Sequence, residues 1–148
     1  MVDTLTSFLG PTPAPTLDTI PIVISRRLSF ATTNAAATNI VQALNIEKGT
    51  YLTEVLVRVV TAEGGVATVD AGDGDNPDGW LDGIDVNAAA NTVYYSHTNA
   101  GTDEAFGKAL GKFYTADDTI DLIINNALDV AVLDVIAIGY RPRLAAGE

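Results

Sequence analysis

From Ile20 onward the apolar residues recur at every second position in short runs, and each run ends in a cluster of Gly, Asp, Asn or Pro. A period of two belongs to a β-strand, whose side chains point alternately to opposite faces; a helix needs apolar residues three and four apart over ten or more positions. The sequence offers no convincing long helix and no internal repeat. The pattern therefore predicts an all-β chain, with strands over Ile20–Phe30, Ile40–Ile46, Tyr51–Val60, Val66–Ala71, Thr92–His97, Lys112–Tyr114, Thr119–Ile124 and Val130–Tyr140. Gly64-Gly65 predicts a tight hairpin between the third and fourth of these, because two glycines accept the positive φ that primed turns demand.

The faces of these strands are unusual. Ile40, Leu44 and Ile46 are expected on one face of their strand. Val55, Val57 and Val59 share a face, while Leu52, Leu56 and Val60 lie on the other with Glu54 and Arg58. In the last strand Val130, Val132, Ile136 and Ile138 alternate with Ala131, Leu133, Val135 and Ala137, so neither face is made for water. Such a strand is either central in a sandwich or pressed against a neighbouring subunit. Composition points the same way: 47% of the 148 residues are hydrophobic and only 18% are charged, against roughly 25% in an average domain. A chain of this length is one domain with a sizeable core, and eight short strands with turns between them predict an antiparallel β-sandwich of jelly-roll type.

Residues 1–20 read as a separate extended arm, ahead of a sandwich domain over 21–148. Four of the six prolines, Pro11, Pro13, Pro15 and Pro21, fall in the first 21 residues with threonines between them, which disfavours helix and favours a polyproline-like conformation. Thr32–Asn39 is expected as a loop and Val86–Ala90 as an irregular edge. Asp70–Asp85 holds six aspartates, four glycines and a proline in sixteen residues. It reads as a loop, with Trp80 and Leu81 folding back onto the sheet as its anchor. Thr98–Gly111 reads as a loop with one helical turn within Asp103–Leu110.

Several function classes fall away. Without cysteine there is no disulfide, thiolate metal site or cysteine nucleophile. With a net charge of −11 and no Lys or Arg between Arg58 and Lys108, no basic stripe is long enough for nucleic acid, and anionic membrane surfaces are disfavoured. The N-terminus lacks a basic segment followed by an apolar one, so a soluble, unexported chain is expected.

The chemistry-bearing residues are few. His97 follows Ser96, but strand neighbours point to opposite faces and no G-x-S-x-G elbow exists, so His97 reads as a rim histidine and no enzyme is expected. No glycine spacing matches a phosphate loop. Asp117, Asp118 and Asp121 read as solvated carboxylates rather than a glycosidase pair. Asp73, Asp75 and Asp78 are the candidates for a calcium site, since hard cations take clustered carboxylate oxygens. The loop fails the EF-hand register, and D-G and N-P-D-G steps are strong turn formers in their own right. No cofactor is expected, with Ca2+ as the one candidate.

The stretch VATVDAGDGDNPDGWLDGIDV (Val66–Val86), followed by GKFYTADDTIDLII and a final apolar strand, resembles small virion proteins of tailed bacteriophages over roughly residues 50–140. The resemblance implies a capsid decoration or cement protein: a β-sandwich made in the host cytoplasm that forms homotrimers and binds the major capsid protein on the capsid surface. Interface candidates on this reading are Pro11, Pro13 and Pro15 of the arm, Val132, Ile136 and Ile138 of the last strand, and Arg141 and Arg143 as a small basic contact. The alternative is a carbohydrate- or receptor-binding head or fibre module, which needs Trp80, Tyr94 or Tyr95 exposed as a stacking platform; the cement reading buries Trp80.

Overall fold

The computed structural model describes residues 19–98 and 105–142. Pro11, Pro13, Pro15 and Arg143, and most of the arm with them, lie outside the described residues. Nine strands are described: β1 (Thr19–Ser29), β2 (Ile40–Ile46), β3 (Tyr51–Thr61), β4 (Thr68–Gly72), β5 (Leu81–Asp85), β6 (Val93–Tyr95), β7 (Lys112–Phe113), β8 (Asp118–Ile124) and β9 (Val132–Pro142). One helical turn, α1 (Ala105–Lys108), precedes β7. No described helix is long and apolar enough to cross a membrane.

The strands form two antiparallel sheets. One has the order β1-β9-β3-β6, with β7 also on β3; the other has the order β2-β8-β4-β5. The pairs nest: β1 with β9, β2 with β8, β3 with β6 and β4 with β5. The core lies between the sheets. Leu52, Val55, Val57, Val59, Leu133, Val135 and Ala137 of the first sheet, with Leu44, Ile46, Val69, Ile84, Ile120, Leu122 and Ile124 of the second, are all buried. Pro21 sits in β1, an edge strand in which its missing N–H need not cost a ladder bond.

Four sequence expectations are corrected. Gly64-Gly65 does not close a hairpin: β3 and β4 belong to different sheets, so the turn carries the chain across the core, and only Gly64 has positive φ, at 88°. Leu52 faces the core with Val55 because Thr53 is an extra residue, a bulge that restarts the alternation. A second irregularity, between Gln42 and Leu44, turns Ile40 outward while Leu44 and Ile46 stay in the core. The end of the aspartate-rich stretch is strand β5 rather than loop, because Asp85 pairs with Thr68 and Ile84 with Val69.

Candidate functional site: a polar cluster and an apolar sheet face

The aspartate-rich loop folds around a buried polar chain. Asp73, its side chain fully enclosed, accepts at Oδ1 from the amides of Asp75 and Asn76, which is the turn-forming role expected of aspartate. Its Oδ2 accepts from Lys112 Nζ at 2.7 Å and from the Tyr114 hydroxyl at 2.8 Å, and Tyr114 accepts in turn from Trp80 Nε1 at 3.2 Å. Burial pushes the Tyr114 hydroxyl far above its ordinary pKa, so it stays a donor. Burial alone would lower the Lys112 pKa, but its bonds to Asp73 and Asp75 more than offset this and hold it above the ordinary value. Lys112 also stands over the rings of Phe106 and Tyr114, at 4.4 and 4.8 Å.

Of the calcium candidates, Asp73 and Asp75 come together, joined by Asp118 rather than by Asp78. Asp118 approaches from β8, a strand distant in sequence. Lys112 already bonds Asp73 and Asp75, so the chain's own ammonium group offsets one of the three carboxylate charges. Asp73 shapes the loop and holds Lys112 and Tyr114, and Trp80, with no exposed surface, is part of the core beside it.

Among the described residues, no nucleophile assembles around His97. Its Nδ1 lies 2.6 Å from Glu54 Oε1 on the sheet surface, while Ser96 is buried with its Oγ accepting from the Val55 amide. Asp117 accepts from the Lys48 amide and fixes a turn; Asp121, expected to be solvated, is instead buried, accepts from the Thr119 hydroxyl, and has its pKa pushed up by that burial. The cleft between β1 and β2 is an open groove lined by Arg26, Leu28, Phe30, Ile40 and Val41, far from these groups in the sequence and carrying no acid–base pair.

The first sheet carries more apolar side chains on its outward surface than the second. Residues paired across strands share a face, so the register of the first sheet lays its outer side chains in rows. Pro21, Tyr140, Tyr51 and Phe113 form the first row. Val23, Ile138 and Glu54 form the second, and Ser25, Ile136, Leu56 and Tyr95 the third. The fourth is polar: Arg27 and Arg58 both grip Asp134, at 2.7 and 2.6 Å, and hydrogen bonding from Arg27 leads in holding the Asp134 pKa below its ordinary value. Tyr140, Tyr51 and Phe113 are 48%, 38% and 54% exposed, and Val23 is 69% exposed. The second sheet places Gln42 beside Asp121, Asn45 beside Thr119 and Asp70 beside Ile123 on its outer side, with Asp121 buried and Ile40, 63% exposed, beside Ile123, so that side mixes polar and apolar groups.

Val132, Ile136 and Ile138 thus all lie on the outer face, partly exposed, while their neighbours Leu133, Val135 and Ala137 fill the core. Arg141 is on the same strand, but its guanidinium already bonds Glu47 at 3.0 Å. Sequence reasoning missed the ring row, because Tyr51, Phe113 and Tyr140 meet only through pairings of distant strands. It also missed Glu63, whose carboxylate accepts the consecutive amides of Asp129, Val130 and Ala131 and pins the entry to β9.

A two-sheet antiparallel sandwich of this form is shared with chains found in phage capsids. A chain of the cyanophage Pam1 capsid asymmetric unit superposes with a TM-score of 0.61 at 16% identity, covering 88% of this chain and 91% of that one. A chain of the acid-stable capsid of Helicobacter pylori bacteriophage KHP30 gives 0.56 at 14% identity, over 84% and 91%. A chain of the Ralstonia phage GP4 capsid gives 0.55 at 14% identity, over 91% of each. At these identities the likeness is one of fold. No protein-family model and no curated protein matches the sequence.

Proposed function

We propose that this chain is a non-enzymatic structural protein of a phage virion, of the decoration or cement type, acting as a homotrimer on the surface of the major-capsid lattice. The observation that carries this reading is the outer face of the β1-β9-β3-β6 sheet, which turns out Val23, Leu56, Ile136, Ile138 and four aromatic rings, whereas the other sheet mixes polar groups with Ile40 and Ile123. A contiguous exposed apolar face marks a surface at which another protein docks. The shared fold with chains of three phage capsids supports the setting. The nested pairs β1·β9, β2·β8, β3·β6 and β4·β5 are those of one long antiparallel ribbon folded over on itself, which supports reading the sandwich as a jelly roll.

The buried Trp80 accords with the cement reading and removes one of the three rings that the carbohydrate-binding alternative could use, whereas Tyr95, at 39% exposure, keeps that alternative open. Closed cyclic symmetry is the ordinary outcome for identical chains, and Val132, Ile136 and Ile138 are the contacts offered to a second copy or to the capsid. The test pairs a mass measurement in solution with co-sedimentation on phage capsids lacking their surface proteins. A concentration-independent trimer that binds capsids, and an Ile136→Asp/Ile138→Asp variant that stays folded but loses both properties, are expected. A monomeric native chain that leaves capsids bare would overturn the proposal.

A further inference from the structure

We propose that the free edge of β1 is the docking site of an extended acidic segment of another protein, which adds to the sheet as one further strand beside Arg26. β1 is the terminal strand of its sheet, and among the described residues no strand pairs with its other edge. Phe30 donates to the Ala131 carbonyl in register with the β1·β9 ladder. Hydrogen bonding alternates along an antiparallel pair, so the even-numbered residues of β1 bond β9. Val23, Ser25 and Arg27 therefore point their N–H and C=O groups away from the sheet, a template about 14 Å long for a partner's main chain. Pro21, with a carbonyl but no N–H, ends that template.

The side chains define what fits. The edge overlooks a groove of about 580 Å³ between β1 and β2, with Leu28, Phe30, Ile40 and Val41 among its walls and no acidic group among the described residues that line it. Arg26 stands in this groove. Among the described residues its guanidinium makes no ion pair, and it donates one long bond, 3.4 Å, to the Gln42 carbonyl. On the outer face Arg27 and Arg58 share the single carboxylate of Asp134, which leaves a further positive charge beside the same edge. In a chain of net charge −11, this edge is locally positive. Cross-strand neighbours on one face interact directly. A segment with a carboxylate opposite Arg26 and apolar side chains opposite Ile24 and Leu28 pairs the guanidinium and covers the groove. The β1 strand of a second copy brings arginines of its own and is repelled.

The assignment is independent of the capsid reading and uses a different surface from Ile136 and Ile138. The test titrates the isotope-labelled full chain with a capped peptide, TVTETVT, and follows the backbone amides by NMR. The amides of Val23, Ser25 and Arg27 are expected to shift. With Arg26→Gln, or with glutamine in place of the peptide's glutamate, the dissociation constant is expected to rise roughly tenfold, and the two changes together are expected to add little more. Ser25→Pro, which removes a donor at the free edge and none from the β1·β9 ladder, is expected to abolish the shifts. No shift at millimolar peptide, equal affinity for the glutamine peptide, or edge amides that move with protein concentration alone refutes the proposal.

Discussion

Lys112 Nζ lies 2.7 Å from Oδ2 of Asp73, a carboxylate whose side chain has no exposed surface. An ion pair withdrawn from water holds only as a pair, since either charge left alone keeps its full desolvation cost. Lys112→Met is therefore expected to cost about 3–5 kcal/mol in urea unfolding. Adding Asp73→Asn to that variant is expected to restore a large part of the loss. If the single variant unfolds at the native midpoint, the pair contributes nothing to stability.

The same lysine bears on cation binding. Because Lys112 bonds both Asp73 and Asp75, a calcium ion would have to displace it to reach the carboxylates, so neither calcium nor a chelator is expected to move the thermal midpoint of the native chain. A rise of several degrees with calcium would show that the ion displaces the lysine and binds Asp73, Asp75 and Asp118.

Glu63 gives stability a defined pH dependence. Burial pushes its carboxyl up, but the amides of Asp129, Ala131 and Val130 together pull it below the ordinary value. A pKa depressed by folding contributes stability that is present above the unfolded value, about 4.3 for Glu, and is lost as pH falls through the folded value. Glu63→Gln is expected to cost about 1.5–3 kcal/mol at pH 7, with the gap to the native chain closing below about pH 4. Asp129 is pushed the other way by the neighbouring Glu63 carboxylate, which spreads the acid limb over a wider range. A gap that stays constant from pH 7 to pH 3 would rule out this role.

Two glycines separate close approach from backbone freedom. A Cβ on Gly139 would lie 2.1 Å from the Tyr51 carbonyl oxygen, so Gly139→Ala forces β9 away from β3 and is expected to cost more than about 3 kcal/mol. A Cβ on Gly64 meets nothing within 4 Å, but its φ is +88°, so Gly64→Ala is expected to cost about 1–2 kcal/mol. Thermal unfolding of the two variants checks the order; the reverse order would contradict the packing of Tyr51 against Gly139.

Strand positions and the all-β class were legible because period-two runs carry their own signal. Val132, Ile136 and Ile138 opposite Leu133, Val135 and Ala137 showed in advance that β9 has two apolar faces, and the structure turns one to the core and the other outward. What failed was whatever depended on a single extra residue. Thr53 and the irregularity after Gln42 each restart the alternation, and no residue-by-residue pattern marks where a bulge will fall. Gly64-Gly65 has the chemistry of a hairpin, yet the partners of β3 and β4 lie elsewhere in the chain, so long-range pairing decided against the local signal. In the polar cluster, Asp73 and Asp75 were visible as neighbours, whereas Lys112 and Asp118 arrive by folding alone.

Because the ladders nest, the outermost one joins Thr19 of the first strand to Pro142 of the last. During synthesis at about 5–20 residues per second, β1 must wait on the order of ten seconds for β9 to leave the ribosome. Closing so long a loop is also entropically slow compared with zipping a local turn. Throughout that delay the edge of β1 is unpaired, and its Arg26-Arg27 pair and Pro21 place charge and a missing donor where a nascent neighbour would otherwise add on.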